Sequence, residues 1–271
     1  MADLASLTRR SLFGAATALS GLTAPGLAQA RRQRVLWPGG ARGAVSLTYD
    51  DGLGSQLDYA APELDRRELK ATFFLTEENM EGRLADWVEL ARRGHEVANH
   101  TVTHPCALGR LDAVRFEHNE LDRMEGFLDA NFGADRARTF AYPCGYLGIG
   151  QGDRRQRYGR YRRLLLKTNL VAARTTSGGP NHPAQAIADP FHLHAFEPTY
   201  EADSIMPGLR YLNETVAMGG WAILVFHDVL PRWHGEGDSS LETHNRILDH
   251  IADLGLWCAP MGHVFDHLQA V

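Results

Sequence analysis

Cysteine is scarce in this chain, three residues in 271, which excludes a small scaffold stapled by disulfides. Basic charge is not in surplus either: 28 Lys and Arg stand against 33 Asp and Glu, for a net charge of -5, and no long basic stripe interrupts that balance. The electrostatic footprint of a nucleic-acid binder is therefore missing. Long apolar runs are lacking too. The stretch from Leu12 to Ala24 falls short of the roughly 20 residues a spanning helix needs and is broken by Gly21, and no later segment reaches that length without charges or turn residues, so no membrane span is expected. No internal repeat, low-complexity tract or linker divides residues 44 to 269. What remains is an ordinary globular composition, 44% hydrophobic and 23% charged, at a length that suits two small domains or one large α/β barrel.

The first thirty residues read as export rather than fold. Thr8-Arg9-Arg10-Ser11-Leu12-Phe13 sets two arginines before the mildly apolar stretch, and Ala28-Gln29-Ala30 supplies small residues for cleavage. This resembles a bacterial twin-arginine signal peptide. The expectation is a signal at residues 1–30 read by an export machinery, an arm at residues 31–43, a single domain from residue 44 to 271, and a periplasmic or secreted protein.

From Ala44 onward, short β-rich runs alternate with helical patterns, the signature of βα units on a largely parallel sheet. Expected strands are Val45 to Tyr49, Ala71 to Leu75, Glu96 to Asn99, Thr139 to Tyr142, Leu170 to Ala173, Phe191 to Phe196, Trp221 to Phe226 and Leu256 to Ala259. Between them lie the helical patterns Leu84 to Arg93, Asp112 to Phe132, Pro207 to Met218 and Leu241 to Leu254. One α/β barrel is the simpler account.

Four expected strands run into polar clusters, and barrel enzymes build their sites at the carboxyl ends of strands. The clusters are Tyr49-Asp50-Asp51-Gly52, His100-Thr101-Val102-Thr103-His104, Tyr142-Pro143-Cys144-Gly145 and Phe226-His227-Asp228. Two imidazoles four residues apart, with small residues between, can reach one ion, and a carboxylate from another strand end completes a three-ligand site with a position left for water. Either motif alone is weak evidence, since the chain holds 13 His and paired carboxylates before Gly are usually a solvated turn.

Taken together and in this order, the four segments resemble the polysaccharide deacetylase family, carbohydrate esterases related to nodulation chitooligosaccharide deacetylases. The resemblance runs from about Ala44 to the C-terminus. It implies a distorted (β/α) barrel of seven to eight strands and a metal-dependent hydrolase that removes acetyl groups, N-acetyl first, from an acetylated glycan. It also implies roles for single residues: Asp50 as general base; Asp51, His100 and His104 as ligands of one divalent ion, zinc by default with cobalt, nickel or manganese as alternatives; the Cys144 backbone N–H as oxyanion donor; and His227 as the acid that protonates the leaving nitrogen. Tyr142, Pro143 and Gly145 would line the substrate, and Trp233, in the loop after His227, could stack on a sugar ring.

The third segment departs from the family pattern. Many members carry Arg two residues before its Pro, where this chain has Ala141, and the aspartate that orients the catalytic His is not recognisable. Arg174, following the apolar strand Leu170 to Ala173, is the candidate to hold Asp50 in its place. Cys106 and Cys144, just beyond two site motifs, are the expected disulfide, with Cys258 free and buried. The Arg-rich segment Arg154 to Lys167 reads as a solvated helix face, with an anionic polymer as the alternative. Two other readings of the whole chain stay open: the same barrel hydrolysing a non-sugar amide or imide, and a non-catalytic glycan-binding protein. Neither the glycan nor the oligomeric state follows from the sequence.

Overall fold

The computed structural model describes residues 37–80, 82–134 and 137–271. The expected signal and the first part of the arm lie outside the described residues. Six parallel strands make the frame: β1 (Ala44–Asp51), β2 (Thr72–Leu75), β3 (Glu96–Asn99), β4 (Arg138–Ala141), β5 (Leu170–Arg174) and β6 (Trp221–Phe226). They lie in the order β5-β4-β3-β2-β1-β6. Two short strands, β7 (Val229–Leu230) and β8 (Ser239–Ser240), form a separate ribbon, and β9 (Trp257–Cys258) is the seventh strand of the main sheet, paired with the start of β1.

Parallel neighbours need crossovers, and helices supply them. The expected helices are present as Leu84–Arg92, Ala113–Phe132 in three consecutive spans, Met206–Met218 and Leu241–Asp253. Their starts follow from side-chain caps: Asp112 accepts from Arg115 N, Ser240 accepts from Thr243 N, and Asp153 with Gln156 forms a capping box before the Arg-rich helix Arg154–Leu165. The middle span, Glu117–Asp122, and the segment Gln56–Ala60 are π-helical turns. The sequence reading missed the helical stretch Gln56–Arg66 and the helix Pro183–Ala188.

The expected strand Phe191 to Phe196 needs correction. It forms only two single parallel bridges, Arg174 with Leu193 and Phe196 with Leu224. The segment changes partner halfway, from β5 to β6, so no continuous ladder develops with either. Those two bridges nevertheless link the two edges of the sheet, which makes a curled, distorted barrel of a single domain.

Strand register sorts the side chains by face, because alternate residues point to opposite sides. Tyr49, Phe73, Val97 and Phe226 share one face and pack outward under the helices with Trp87, Leu248 and Ile251. Phe74, Ala98, Ala141, Ile223 and Val225 share the other and fill the interior. The amino end of the barrel is closed by polar contacts. Glu96 accepts from Thr72 Oγ1, Thr139 Oγ1 and the backbone N–H of Gly262, which opens the last helix, Met261–Ala270. Chemistry is left to the carboxyl end. Among the described residues no helix is long and apolar enough to cross a membrane.

Candidate metal and catalytic site

Register alone delivers most of the site. Thr48 pairs with Val225 and Tyr49 with Phe226, so Asp50 and His227 emerge side by side where β1 and β6 end. Asn99 pairs with Phe140, which sets His100 beside Ala141, and Ala141 pairs with Arg174. Asp50, His100, Arg174 and His227 therefore share the interior parity. Asp51 does not, and its backbone is turned to φ 76°, which redirects the carboxylate from the helix layer to the rim. Thr101 at φ 69°, His104 at 51° and Cys144 at 53° are bent in the same unusual way. Such a conformation costs a non-glycine residue about 1 kcal/mol or more, and it persists where the surroundings impose it.

Those surroundings are visible around the His-x-x-x-His turn. Glu120, in the π-helical turn Glu117–Asp122, accepts from Val102 N at 3.0 Å, Thr103 N at 2.9 Å and Thr103 Oγ1 at 2.8 Å. His104 N donates to Thr101 Oγ1 at 3.1 Å. The Asp51 carbonyl accepts from Thr76 Oγ1 and Asn79 Nδ2, each at 3.0 Å.

One ligand atom each from Asp51, His100 and His104 lies within 4.8 Å of the others, with His100 Nε2 at 3.5 Å and His104 Nε2 at 3.8 Å from Asp51 Oδ1. Ligands each about 2 Å from a tetrahedral ion sit roughly 3.3 Å apart, so the spacing suits a shared cation. His100 Nδ1 faces the Ala141 carbonyl at 2.9 Å. A carbonyl only accepts, so the proton is on Nδ1 and the Nε2 lone pair is free. That Nε2 is buried without a hydrogen-bond partner. Burial outweighs the pull of Asp50 and Asp51 and brings the His100 imidazole down to about 4, neutral as a ligand must be. The residues fit a divalent metal.

Asp50 is a different carboxylate in kind. It is 1% exposed, and the guanidinium of Arg174, wholly buried, donates to its Oδ1 across the barrel. Ala98 and Ala141 are small enough to leave that path open, and Arg174 also lies over the Phe74 ring, 4.7 Å from its centroid. Burial pushes the Asp50 carboxyl up, but Arg174, His100 and His227 together more than offset it and leave it below the usual range. Buried Gln56 ties the two strand ends together, donating to the carbonyls of Asp50 at 2.5 Å and His227 at 3.1 Å.

Asp50, His104, Cys144, Phe196, Glu197 and His227 are among the residues around one open cavity of about 880 Å³. Glu197 was not found in the sequence. Its Oε2 is buried without a partner, burial pushes its carboxyl up, and the neighbouring His227 pulls it down. It stands where the closing segment ends, as the other site residues do, and that was the available signal.

The remaining expectations divide. Cys106 and Cys144 are disulfide-bonded, with Cα atoms 5.6 Å apart, so the Cys144 turn is tied to the turn that carries His104. Cys258 is free but half-buried rather than buried. Tyr142 is not a substrate contact: it is wholly buried, its hydroxyl donates to the Phe191 carbonyl at 2.8 Å, and its ring packs on Phe140 and Tyr161. It follows the interior Ala141 and so points outward. Pro143 is also buried. Gly145 lines a second cavity instead of the first, and Trp233, 39% exposed, lines neither.

These features define a parallel α/β barrel with a metal-type trio and a separate buried acid at its carboxyl rim. Residues 39–152 match the model of the polysaccharide deacetylase family. A gellan lyase from a Bacillus species is 32% identical over 152 residues, 56% of this chain and 5% of the relative. A peptidoglycan-N-acetylglucosamine deacetylase from Bacillus cereus is 41% identical over 64 residues, 22% of each chain. The match thus spans less than a quarter of either relative. A candidate polysaccharide deacetylase from Mycobacterium smegmatis has the same fold, with a TM-score of 0.65 at 17% identity over 86% of this chain and 92% of that one.

Proposed function

We propose that this protein is an exported, metal-dependent hydrolase that removes acetyl groups, N-acetyl first, from a polysaccharide or oligosaccharide. The observation that carries the reading is the pairing of two unlike carboxylates at one rim: Asp51 with two histidines, and Asp50 buried against Arg174. The polysaccharide deacetylase match over residues 39–152 and the peptidoglycan-N-acetylglucosamine deacetylase among the relatives support an acetylated glycan as substrate. The twin-arginine pattern in residues 1–30 supports export to the periplasm or beyond.

Hydrolysis adds water to the acetyl carbonyl, breaks the carbon–nitrogen bond and yields acetate and an amine. Asp51, His100 and His104 would hold the ion, zinc by default. When bound, such an ion supplies a Lewis acid that polarises the carbonyl and eases deprotonation of water. Asp50 takes the proton of the attacking water, ionised and held to one rotamer by Arg174. The Cys144 N–H, fixed by the disulfide and by Pro143, donates to the oxygen that gains charge. His227 hands a proton to the departing nitrogen, and Glu197 stabilises it while it carries charge.

The test is acetate release from a panel of acetylated oligosaccharides by wild type, Asp50→Asn, and protein stripped by chelator and then reloaded. Release that needs metal and is lost in Asp50→Asn is expected. Release that survives chelation, or an Asp50→Asn variant as active as wild type, overturns the reading.

A further inference from the structure

A second cavity of about 830 Å³ lies beside the first and shares Ser177 and Gly178 with it. Cys144 borders one and Gly145 the other, so a single turn of chain stands between them. Their charge differs sharply. The first is lined by three carboxylates, Asp50, Glu197 and Glu201, against one arginine, Arg210, with His104 and His227; the second is lined by Arg154, Arg155 and Arg157 with His192 and His194, and by no Asp or Glu.

These arginines are not already spent. Among the described residues Arg154 and Arg155 form no ion pair, and Arg157 has a buried Nε without a hydrogen-bond partner. The nearby carboxylate of Asp189 faces two residues of the lining, accepting from the Tyr158 hydroxyl at 2.9 Å and lying 3.9 Å from His192 Nδ1, and it also faces Arg162 at 3.5 Å, but it pairs with none of the three arginines. Arg154 and Arg155 also open the helix Arg154–Leu165, so the positive end of its dipole adds to their charge. A merely solvated helix face would scatter its cations around the helix. Here three of them line one concavity that runs into the catalytic one.

We propose that this second cavity is a subsite for an acidic sugar unit, so that the substrate is an anionic glycan whose acid group lies next to the acetylated unit. The inference rests on the hydrolase reading above and deepens it. A carboxylate, a sulfate ester or a phosphate ester would meet the same guanidinium donors, which match planar and tetrahedral oxyanions by paired hydrogen bonds.

The experiment compares acetylated oligosaccharides that alternate with hexuronic acid units against the same chains carboxyl-reduced to neutral sugars, with sulfated and phosphorylated chains as further arms. Acetate release gives kcat/KM for each, and calorimetry gives the affinity of the deacetylated acidic chain. Wild type should prefer the acidic chain by about tenfold or more, with the preference shrinking as salt rises, since the contacts are charge-assisted and partly exposed. The double variant Arg154→Gln/Arg155→Gln should lose about tenfold of that preference, chiefly in KM, and of the calorimetric affinity. Arg92→Gln, on an exposed helix end, should keep both. Whichever acid is most preferred identifies the group. Equal or better turnover of the neutral chain, or an unchanged preference in the double variant, overturns the subsite while leaving the hydrolase reading intact. Arginine-dependent binding of acidic chains without acetate release from any arm would instead overturn the hydrolase reading.

Discussion

Removing the Arg174 side chain should uncouple catalysis from metal binding. Arg174 is wholly buried and Asp50 is 1% exposed, so no water can enter to replace the lost donor without rearrangement. Breaking a buried ion pair from one side costs about 3–5 kcal/mol, because the partner charge stays behind unpaired. For a domain of this size that lowers Tm by roughly 10 °C. Asp50 also loses the contact that fixes its rotamer, and displacement of a reacting group by about 1 Å costs on the order of 100-fold in rate. Arg174→Met is therefore expected to melt about 10 °C lower and to lose about 100-fold in kcat, with KM little changed and metal content by elemental analysis at wild-type level. A double variant separates electrostatics from packing. Asp50→Asn together with Arg174→Met removes both charges, so it should be more stable than Arg174→Met alone, a non-additivity that a thermodynamic cycle reads directly. A double variant no more stable than Arg174→Met, or Arg174→Met with full kcat, would refute the claim that Arg174 acts through Asp50.

Glu197→Gln removes the buried carboxylate beside His227; it should lower kcat by about tenfold or more with unchanged metal content, and unaltered kcat would remove Glu197 from the site. Cys106→Ser opens a loop of sequence separation 38, so it should cost about 4 kcal/mol in urea denaturation and also lower kcat by loosening the Cys144 turn. Burial brings both His95 and His244 down to about 4 in the folded chain. Unfolded imidazoles take up protons below about 6.5, so their contribution is complete above that pH and is lost as pH falls toward 4. Urea denaturation should show stability dropping across that window by about 2–3 kcal/mol per histidine, with His244→Gln flattening part of the fall. Glu68 is exposed at φ 57° and far in sequence from every site motif, so Glu68→Gly should raise stability by about 1 kcal/mol by calorimetry, against no change if the turn is relaxed.

Much of this was legible in the sequence, and the reasons for what was not are specific. Strand runs such as Glu96–Asn99 and Trp221–Phe226 stand where apolar composition and turn residues put them. Phe191 to Phe196 carries the same signal, yet a strand that must serve two edges cannot be told from one that pairs along its length. Tyr142 adjoins Pro143 and Cys144, which makes it a substrate contact by sequence position, yet its side chain is wholly buried. Only register fixes which face a residue takes, and parallel pairing is set by distant parts of the chain. The same ignorance hid Glu197, one residue past the expected strand Phe191 to Phe196.

Parity and bending divide the work of building the rim. Asp50, His100, Arg174 and His227 need no special backbone, since an interior strand position at its carboxyl end already aims them inward. The other two ligands of the trio cannot be placed that way, because Asp51 follows Asp50 directly and His104 follows His100 by a turn. Each reaches the centre through a left-handed backbone that glycine would adopt more cheaply but with no ligand to offer. Four of the five non-glycine residues at positive φ among the described residues are Asp51, Thr101, His104 and Cys144, all in the turns that carry the proposed ligands and oxyanion donor. The contacts that hold them come from Glu120, Thr76, Asn79, the disulfide and the side chain of Asn99, which accepts from Thr101 N at 2.7 Å. A family resemblance can name the ligands from sequence, but most of the residues that bear the cost of their geometry lie far from the motifs and become visible only in three dimensions.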